Sequence, residues 1–207
     1  MEVRTITFQT LGRDGALFGE LLRTRKRTFI DEMGWALPTA LGMEFDQYDN
    51  PFSSWVVVHC GDDIYGGVRL TPTTADVMGS SYMIRDAQRG VLPGMPSDLL
   101  EDVAPVSAGV WEASRVFIKG DRAAGIDRRV VRDMLLREML KTSYDGGAER
   151  LVCILPSWWP RLTRSGLTVR AIGPKIDIGG MHQAVEIDVL ASPLRSDRGP
   201  SFSIAQR

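Results

Sequence analysis

A charged side chain stands where an apolar one is expected. Between about Asp14 and Met33, Phe18, Leu21, Leu22, Phe29 and Met33 recur at three- and four-residue spacing, which predicts a helix with one apolar face. Arg25 lies four residues from both Leu21 and Phe29 and seven from Phe18. At about 100° per residue it falls near the middle of that stripe, while Arg23, Lys26 and Arg27 point elsewhere. Buried charge is expensive unless paired, so Arg25 calls for an anionic partner or ligand. The alternative is an arginine whose stem lies on the core and whose head reaches water. The nearest carboxylates are in Glu44-Phe45-Asp46-Gln47-Tyr48-Asp49, where Asp46 and Asp49 can orient arginines or hold a cationic ligand. Acidic turn residues are common, and that reading stays open beside it. Arg69 ends the β-rich run Ile64–Leu70. Asp46 or Asp49 is its natural partner, with a ligand contact as the equal alternative.

Trp111-Glu112-Ala113-Ser114-Arg115 lies within the strand-like run Val110–Ile118. Strict alternation puts Glu112 and Ser114 on one face and Trp111, Ala113 and Arg115 on the other. If Glu112 and Arg115 serve one site, the strand needs a bulge between them. A glutamate in a buried strand has a raised pKa and can act as a general base; on an edge strand it is merely solvated. The turn from Lys119 to Gly125 joins this strand to a helix over Asp127–Lys141, with Asp127 as N-cap and Ile126 stapled onto Val131. A glycine-containing basic loop before a helix start can cradle an anion such as a phosphate or a phosphopantetheine arm; a plain strand-to-helix connection is the other reading. His59, His182 and Cys153 lie in strands without partners at ligand spacing and read as core or edge residues.

The elements that must position these groups alternate between strand and helix, as in an α/β or α+β domain. Ser54–Cys60 and Ile64–Leu70 read as a hairpin across Gly61-Asp62-Asp63, with Gly66-Gly67 marking a bulge or close backbone approach. Residues 71–108 form a Pro/Gly/Ser-rich excursion with short helices. Leu151–Leu155 is a buried strand, followed by a short helix at Trp158–Arg164 and strands near Leu167–Ile172 and Ala184–Leu190. Residues 1–190 make one domain, and 191–207 read as a flexible tail. The 207 residues carry 25 Lys+Arg, 26 Asp+Glu, 43% hydrophobic residues and a net charge of −1. That is enough chain for one real core without disulfide or metal support. It excludes a disordered polyelectrolyte and argues against a nonspecific nucleic-acid coat. Two cysteines without a CxxC and two histidines suggest neither a disulfide framework nor a metal cluster. The N-terminus lacks a signal-peptide apolar region, and no stretch approaches ~20 apolar residues, so a soluble cytosolic domain that neither spans membrane nor binds nucleic acid is expected.

Four blocks in register resemble the acyl-homoserine-lactone synthases, the autoinducer synthases of quorum sensing. They are Arg25-x3-Phe29-x5-Trp35, Glu44-Phe45-Asp46-x-Tyr48-Asp49, Gly67-Val68-Arg69-Leu70 and Trp111-Glu112-x-Ser114-Arg115, and the likeness spans roughly Leu21 to Leu190. The resemblance implies a fold similar to the GCN5-related N-acetyltransferases: a three-layer sandwich whose mixed, twisted sheet splits into a V-shaped cleft flanked by helices. It implies an acyltransferase that joins an acyl chain, from acyl carrier protein or acyl-CoA, to the amine of S-adenosyl-L-methionine. Lactone closure then releases methylthioadenosine. S-adenosylmethionine is a substrate, and no cofactor or metal is implied.

Carried onto this sequence, the resemblance makes Glu112 the base, helped by Asp46, Asp49, Arg69 and Arg115 as a charged network. It places Arg25, Phe29, Trp35 and Ser114 at the S-adenosylmethionine pocket, with the aromatics free to stack on adenine or the sulfonium. Trp111, Met134, Ile154, Leu155 and Trp158 become candidate liners of the acyl pocket. Arg122, Arg128, Arg129, Arg132, Arg161 and Arg164 are candidates for docking an acidic carrier protein. Val152-Cys153-Ile154-Leu155 lacks the threonine often found on this strand in members that favour 3-oxoacyl chains, which points to an acyl group without that substituent. The tryptophans of Pro156–Pro160 are candidates to shape the acyl tunnel, and if they narrow it long chains are disfavoured. Two competing readings are an acetyl-CoA-dependent N-acetyltransferase of the same fold and an inactive member that only binds a ligand. The first normally carries a denser glycine pattern than Arg122-Ala-Ala-Gly125.

Overall fold

A computed structural model describes residues 1–192. Seven strands form one mixed sheet in the order β1-β4-β5-β6-β7-β9-β8. They are β1 (Glu2–Thr7), β4 (Ser54–Cys60), β5 (Asp63–Pro72), β6 (Val110–Ile118), β7 (Arg150–Pro156), β8 (Thr168–Asp177) and β9 (Met181–Asp188). A two-stranded ribbon, β2 (Thr39–Ala40) and β3 (Met43–Glu44), stands apart from it. Every neighbouring pair in the large sheet is antiparallel except β6 and β7.

That parallel pair divides the molecule. It holds register only through Val110↔Arg150, Trp111↔Leu151 and Glu112↔Val152. Beyond Glu112 and Val152 the strands part, and the sheet opens into the expected V. The reason lies on the outer sides: β6 continues to pair with β5 as far as Ile118, while β7 follows β9 to Pro156. Each half of the sheet twists with its own partner.

Period-two alternation sorts the side chains onto two faces. One face of the sheet, through Val56, Val58, Val68, Leu70, Ala113, Leu151 and Cys153, packs on helix α3 (Arg128–Asp145). On the opposite face Ile6, Trp55, Val57 and Phe117 pack on helix α1 (Leu11–Arg25), and Val110, Val152 and Ala184 pack on the 71–108 excursion. The result is the three-layer sandwich. Within the excursion only α2 (Met83–Gln88) is α-helical. Leu99 and Leu100 pack in the same cluster as Ile172 and Ile176 of β8, and Glu101 N–H donates to the Ile172 carbonyl at 3.0 Å.

The expected first helix differs at both ends. It starts one turn earlier, at Leu11, after Thr7 and Thr10 bond each other across a 3₁₀ turn. After Arg25 it widens into a π-helical stretch, Lys26–Glu32. Each wide turn holds an extra residue, so a stripe counted at 3.6 residues drifts out of phase. Met33, expected on the buried stripe, is accordingly 53% exposed. Asp127 caps α3 by accepting from Arg129 N–H, as expected. The expected helix at Trp158–Arg164 is a 3₁₀ segment, Trp159–Ser165. The domain boundary moves slightly: Ser192 is buried and donates to the Asp188 carbonyl, so it belongs to the domain. The rest of the expected tail, 193–207, lies outside the described residues.

Candidate active site

Three arginines and three carboxylates close a network under the opening of the V. Arg25, at the end of α1, donates through Nε to Glu44 at 2.6 Å and through both Nη atoms to Asp49 at 2.7 and 2.9 Å. Arg69 on β5 bonds Asp46 at 2.5 Å and lies 3.1 Å from Asp49. Arg115 on β6 reaches Glu44 at 3.1 Å and Asp46 at 2.8 Å. Each arginine thus spans two carboxylates, and the six charges cancel. Burial is nearly complete for all six side chains, between 0 and 8% exposed. Pairing of this quality is what makes so much buried charge tolerable.

The backbone is bent to achieve it. Gly67 pairs with Phe117 and Arg69 with Ser114, so two residues of β6 stand opposite Val68 alone. Arg115 takes φ +54°, a left-handed conformation that is unusual for a residue with a side chain. This is the bulge that the alternation required: it turns Arg115 to the side of Glu112 and Ser114, while Val116 packs with the α3-side core. The Gly67 prediction also holds. A Cβ there would lie 2.6 Å from the Phe117 ring.

Glu112 is wholly buried and sits at the last paired position of the β6–β7 ladder. It accepts from the backbone N–H groups of Met83 at 3.2 Å and Ile84 at 2.8 Å, the first turn of α2. Burial pushes its pKa up to about 7, against the opposing pull of the two amides and of Arg69. Burial also acts to raise Asp49, but Arg69 and Arg25 outweigh it and hold this carboxyl well below its ordinary value. The two carboxyl groups are pushed apart: Asp49 is a permanent anion, and Glu112 can exchange a proton near neutrality. Such separation marks acid–base machinery.

Several expected roles shift. Arg25 and Ser114, expected at a ligand pocket, belong to the closed network: Arg25 is 1% exposed and held by Glu44 and Asp49, and Ser114 Oγ accepts from Arg69 Nε at 3.1 Å. Arg25 donates to buried carboxylates, and Ser114 is an acceptor for the buried Arg69. Phe29 and Trp35 stack on each other with centroids 5.1 Å apart, and the Arg115 guanidinium lies 5.8 Å from the Phe29 ring centre. The turn between β8 and β9 comes close to Trp35 at Gly179.

The five acyl-pocket candidates fall on both faces of the sheet. Trp111, Met134 and Leu155 pack with the α3-side core, Ile154 packs with the excursion on the opposite side, and Trp158 is 46% exposed. Its neighbour Trp159 is the tryptophan that turns inward, packing on the core and donating to Gln183 at 2.9 Å. Period alone does not distinguish two adjacent tryptophans in a 3₁₀ turn. The basic turn proves to be a plain connection: the Asp121 carboxylate accepts from the amides of Ala123 and Ala124, so these do not face an external anion. Arg122, Arg129 and Arg161 are exposed, as is Arg128, whose Nε donates to the Ile118 carbonyl and fastens the turn; Arg132 is half-buried and paired with Asp133. The side chain of Arg164 lies outside the described ones.

Three participants escaped the sequence reading. Glu44 bridges Arg25 and Arg115, and three buried arginines balanced against only two aspartates were the signal for it. Tyr48 and Asp86, hydrogen-bonded at 3.2 Å, join the acidic segment to α2. No spacing rule connects positions so far apart in the chain.

The autoinducer synthase family matches residues 9–189. The acyl-homoserine-lactone synthase of Ralstonia nicotianae is 33% identical over 196 residues, 91% of this chain and 90% of its own. Among solved structures, TofI in a ternary complex with an inhibitor and MTA is similar with a TM-score of 0.72 at 27% identity, over 91% of this chain and 92% of that one. BjaI, a CoA-dependent acyl-homoserine lactone synthase solved with SAM and isopentyl-CoA, shares the fold with a TM-score of 0.71 at 24% identity, over 90% and 82%. The sheet has the fold of these synthases, and the chain belongs to the autoinducer synthase family of acyltransferases.

Proposed function

We propose that this enzyme moves an acyl group from a thioester, carried on acyl carrier protein or CoA, to the α-amine of S-adenosylmethionine, and then closes the lactone. The observation that carries this reading is Glu112, a buried carboxyl with a pKa near 7, at the point where β6 and β7 separate. In the donor the α-amine is protonated at neutral pH and cannot attack. Glu112 takes its proton, relayed by a water molecule. The freed amine attacks the thioester carbonyl, a C–N bond forms and the C–S bond breaks, and the nitrogen's remaining surplus proton passes to the departing thiolate, which leaves as the thiol. The methionyl carboxylate then attacks the methionyl γ-carbon bound to the sulfonium: a C–O bond forms, that C–S bond breaks, and the sulfur keeps the electron pair and leaves as neutral methylthioadenosine. That second step requires no proton transfer, only a folded substrate.

The network keeps its shape while this happens, since its six charges are already paired and need no reorganisation. Trp35, backed by the buried Phe29, offers an aromatic surface to the sulfonium or adenine. An acyl chain threading the V would touch both faces of the sheet, and the split placement of Leu155 and Ile154 suits that path. The exposed Arg122, Arg129 and Arg161 suit an acidic carrier. S-adenosylmethionine is consumed as a substrate, no further cofactor is required, and thioester and sulfonium substrates suit a reaction in the cytoplasm. Among the described residues no helix is long and apolar enough to cross a membrane.

The test is methylthioadenosine release, followed together with mass spectrometry of the lactones made from a panel of acyl carrier protein and acyl-CoA donors. Release coupled to lactone is the expected result. Acylation of an amine without release, or no turnover with any donor, overturns the reading.

A further inference from the structure

Tyr48 is buried and connects two charged parts of the site. Its backbone N–H donates to Asp46 at 2.9 Å and the Arg69 guanidinium lies 5.5 Å from its ring centre, which fixes it to the charged network. Its hydroxyl donates to Asp86 at 3.2 Å. Asp86 is 2% exposed, belongs to α2, and uses the same carboxylate oxygen to accept from Ser81 N–H at 3.0 Å, just before that helix. The next amides along the chain, Met83 and Ile84, are the two that bond Glu112. A six-residue helix has little stability of its own, so contacts of this kind decide where it sits.

We propose that Tyr48 and Asp86 are positioning residues for the base: their hydrogen bond locks the start of α2 so that the Met83 and Ile84 amides meet the Glu112 carboxylate. Neither residue touches substrate. The proposal rests on the reading of Glu112 as base, and it adds what sets that base. The amides stabilise the ionised carboxylate, so holding them in place keeps Glu112 able to accept a proton at neutral pH. The other groups that act on it are Arg69 and Asp46 from the network, Tyr48 and Tyr82 beside α2, and Cys153 on β7.

Tyr48→Phe keeps the ring on Arg69 and removes only the hydroxyl, and Asp86→Asn keeps the size of the side chain. Two measurements are made on each variant and on the double variant. Hydrogen exchange at the Met83 and Ile84 amides is expected to quicken about tenfold or more, with the global unfolding midpoint near that of the wild type. The acid limb of kcat/KM for methylthioadenosine release is expected to move upward by about one pH unit, with kcat falling more than the affinity for S-adenosylmethionine. The double variant should match Asp86→Asn, because both single variants lose the Tyr48–Asp86 bond and only Asp86→Asn also alters the contacts to Ser81 N–H and Arg89. Unchanged exchange at 83–84 together with an unmoved acid limb overturns the proposal. Glu112→Gln separates the two readings. If that variant turns over like the wild type, Glu112 is not the base; if it is inactive while the Tyr48 and Asp86 variants behave as the wild type, only the positioning role falls.

Discussion

Asp49 grips the Arg25 guanidinium with both carboxylate oxygens, at 2.7 and 2.9 Å, inside a space from which water is excluded. The same carboxylate accepts from the Trp55 indole at 3.0 Å and from Asp46 N–H at 3.0 Å. Arg25 therefore ties the end of α1 to the acidic segment and, through it, to the sheet. Arg25→Ala would strand Glu44 and Asp49 without their cation and lower the unfolding free energy by about 3–5 kcal/mol. Arg25→Lys keeps the charge but loses the fork, so a smaller loss is expected. Urea titration of both variants checks the order.

The pH dependence of stability should have two opposite parts. Asp49 is depressed in the folded protein, so its contribution is present above the ordinary aspartate pKa and is lost as pH falls through its lower folded value. Glu112 is raised from 4.5 to about 7. Its contribution is fully present below 4.5 and is lost as pH rises through about 7. Glu112→Gln removes that second dependence. Chemical unfolding at pH 5 and pH 8 should show the variant gaining on the wild type at the higher pH by about 2–3 kcal/mol.

Catalysis should run the other way. The base works only when ionised, so kcat/KM is expected to rise with pH along a limb near 7. Steady-state assays from pH 5.5 to 9 would locate it. A limb near the ordinary glutamate value would remove Glu112 from the role.

Gly67 leaves room for Phe117, whose ring would stand 2.6 Å from an added Cβ. Gly67→Ala is expected to displace that ring, disturb the bulge beside it and destabilise the fold by about 1–3 kcal/mol. Thermal unfolding and near-ultraviolet circular dichroism would register both effects.

At Arg115 the backbone strain and the side-chain chemistry oppose each other. Arg115→Gly relieves the φ of +54° but removes the ion pairs to Glu44 and Asp46. The ion pairs are the larger effect, and a net loss of about 2–4 kcal/mol with loss of turnover is expected. A variant more stable than the wild type would show that the network carries little of the stability.

Arg122 and Arg129 are exposed beside the start of α3. Reversing both to Glu should raise KM for acyl carrier protein about tenfold at low salt and less at high salt, leaving S-adenosylmethionine binding unchanged. Equal effects on carrier-protein and acyl-CoA donors would argue against docking there.

Much of the chemistry was legible before the chain was folded. Arg25 announced itself by standing on an apolar stripe, and the need for a bulge before Arg115 followed from parity alone. Both are local properties, governed by helix period and strand alternation. Hairpin β4–β5, strand β6 and the capped start of α3 were read for the same reason. The reading failed where local rules stop applying. The π-helical stretch after Arg25 broke the count that had placed Met33 inside. Parity alone separates Ile154 from Leu155, adjacent on β7; which of them meets the α3 side and which the excursion is set by packing.

Tertiary structure decided the rest. Arg25 needed an anion, but that the anions are Glu44 and Asp49, and that Glu44 is shared with Arg115, depends on a close approach of α1, β3 and β6. The proton affinity of Glu112 depends on α2, which the sequence left unplaced within a long excursion. A sequence specifies which charges must be buried, because side-chain periodicity is set over a few residues. Which charges then meet is set by packing between elements distant in the chain, and only the folded sheet brings them within hydrogen-bond reach.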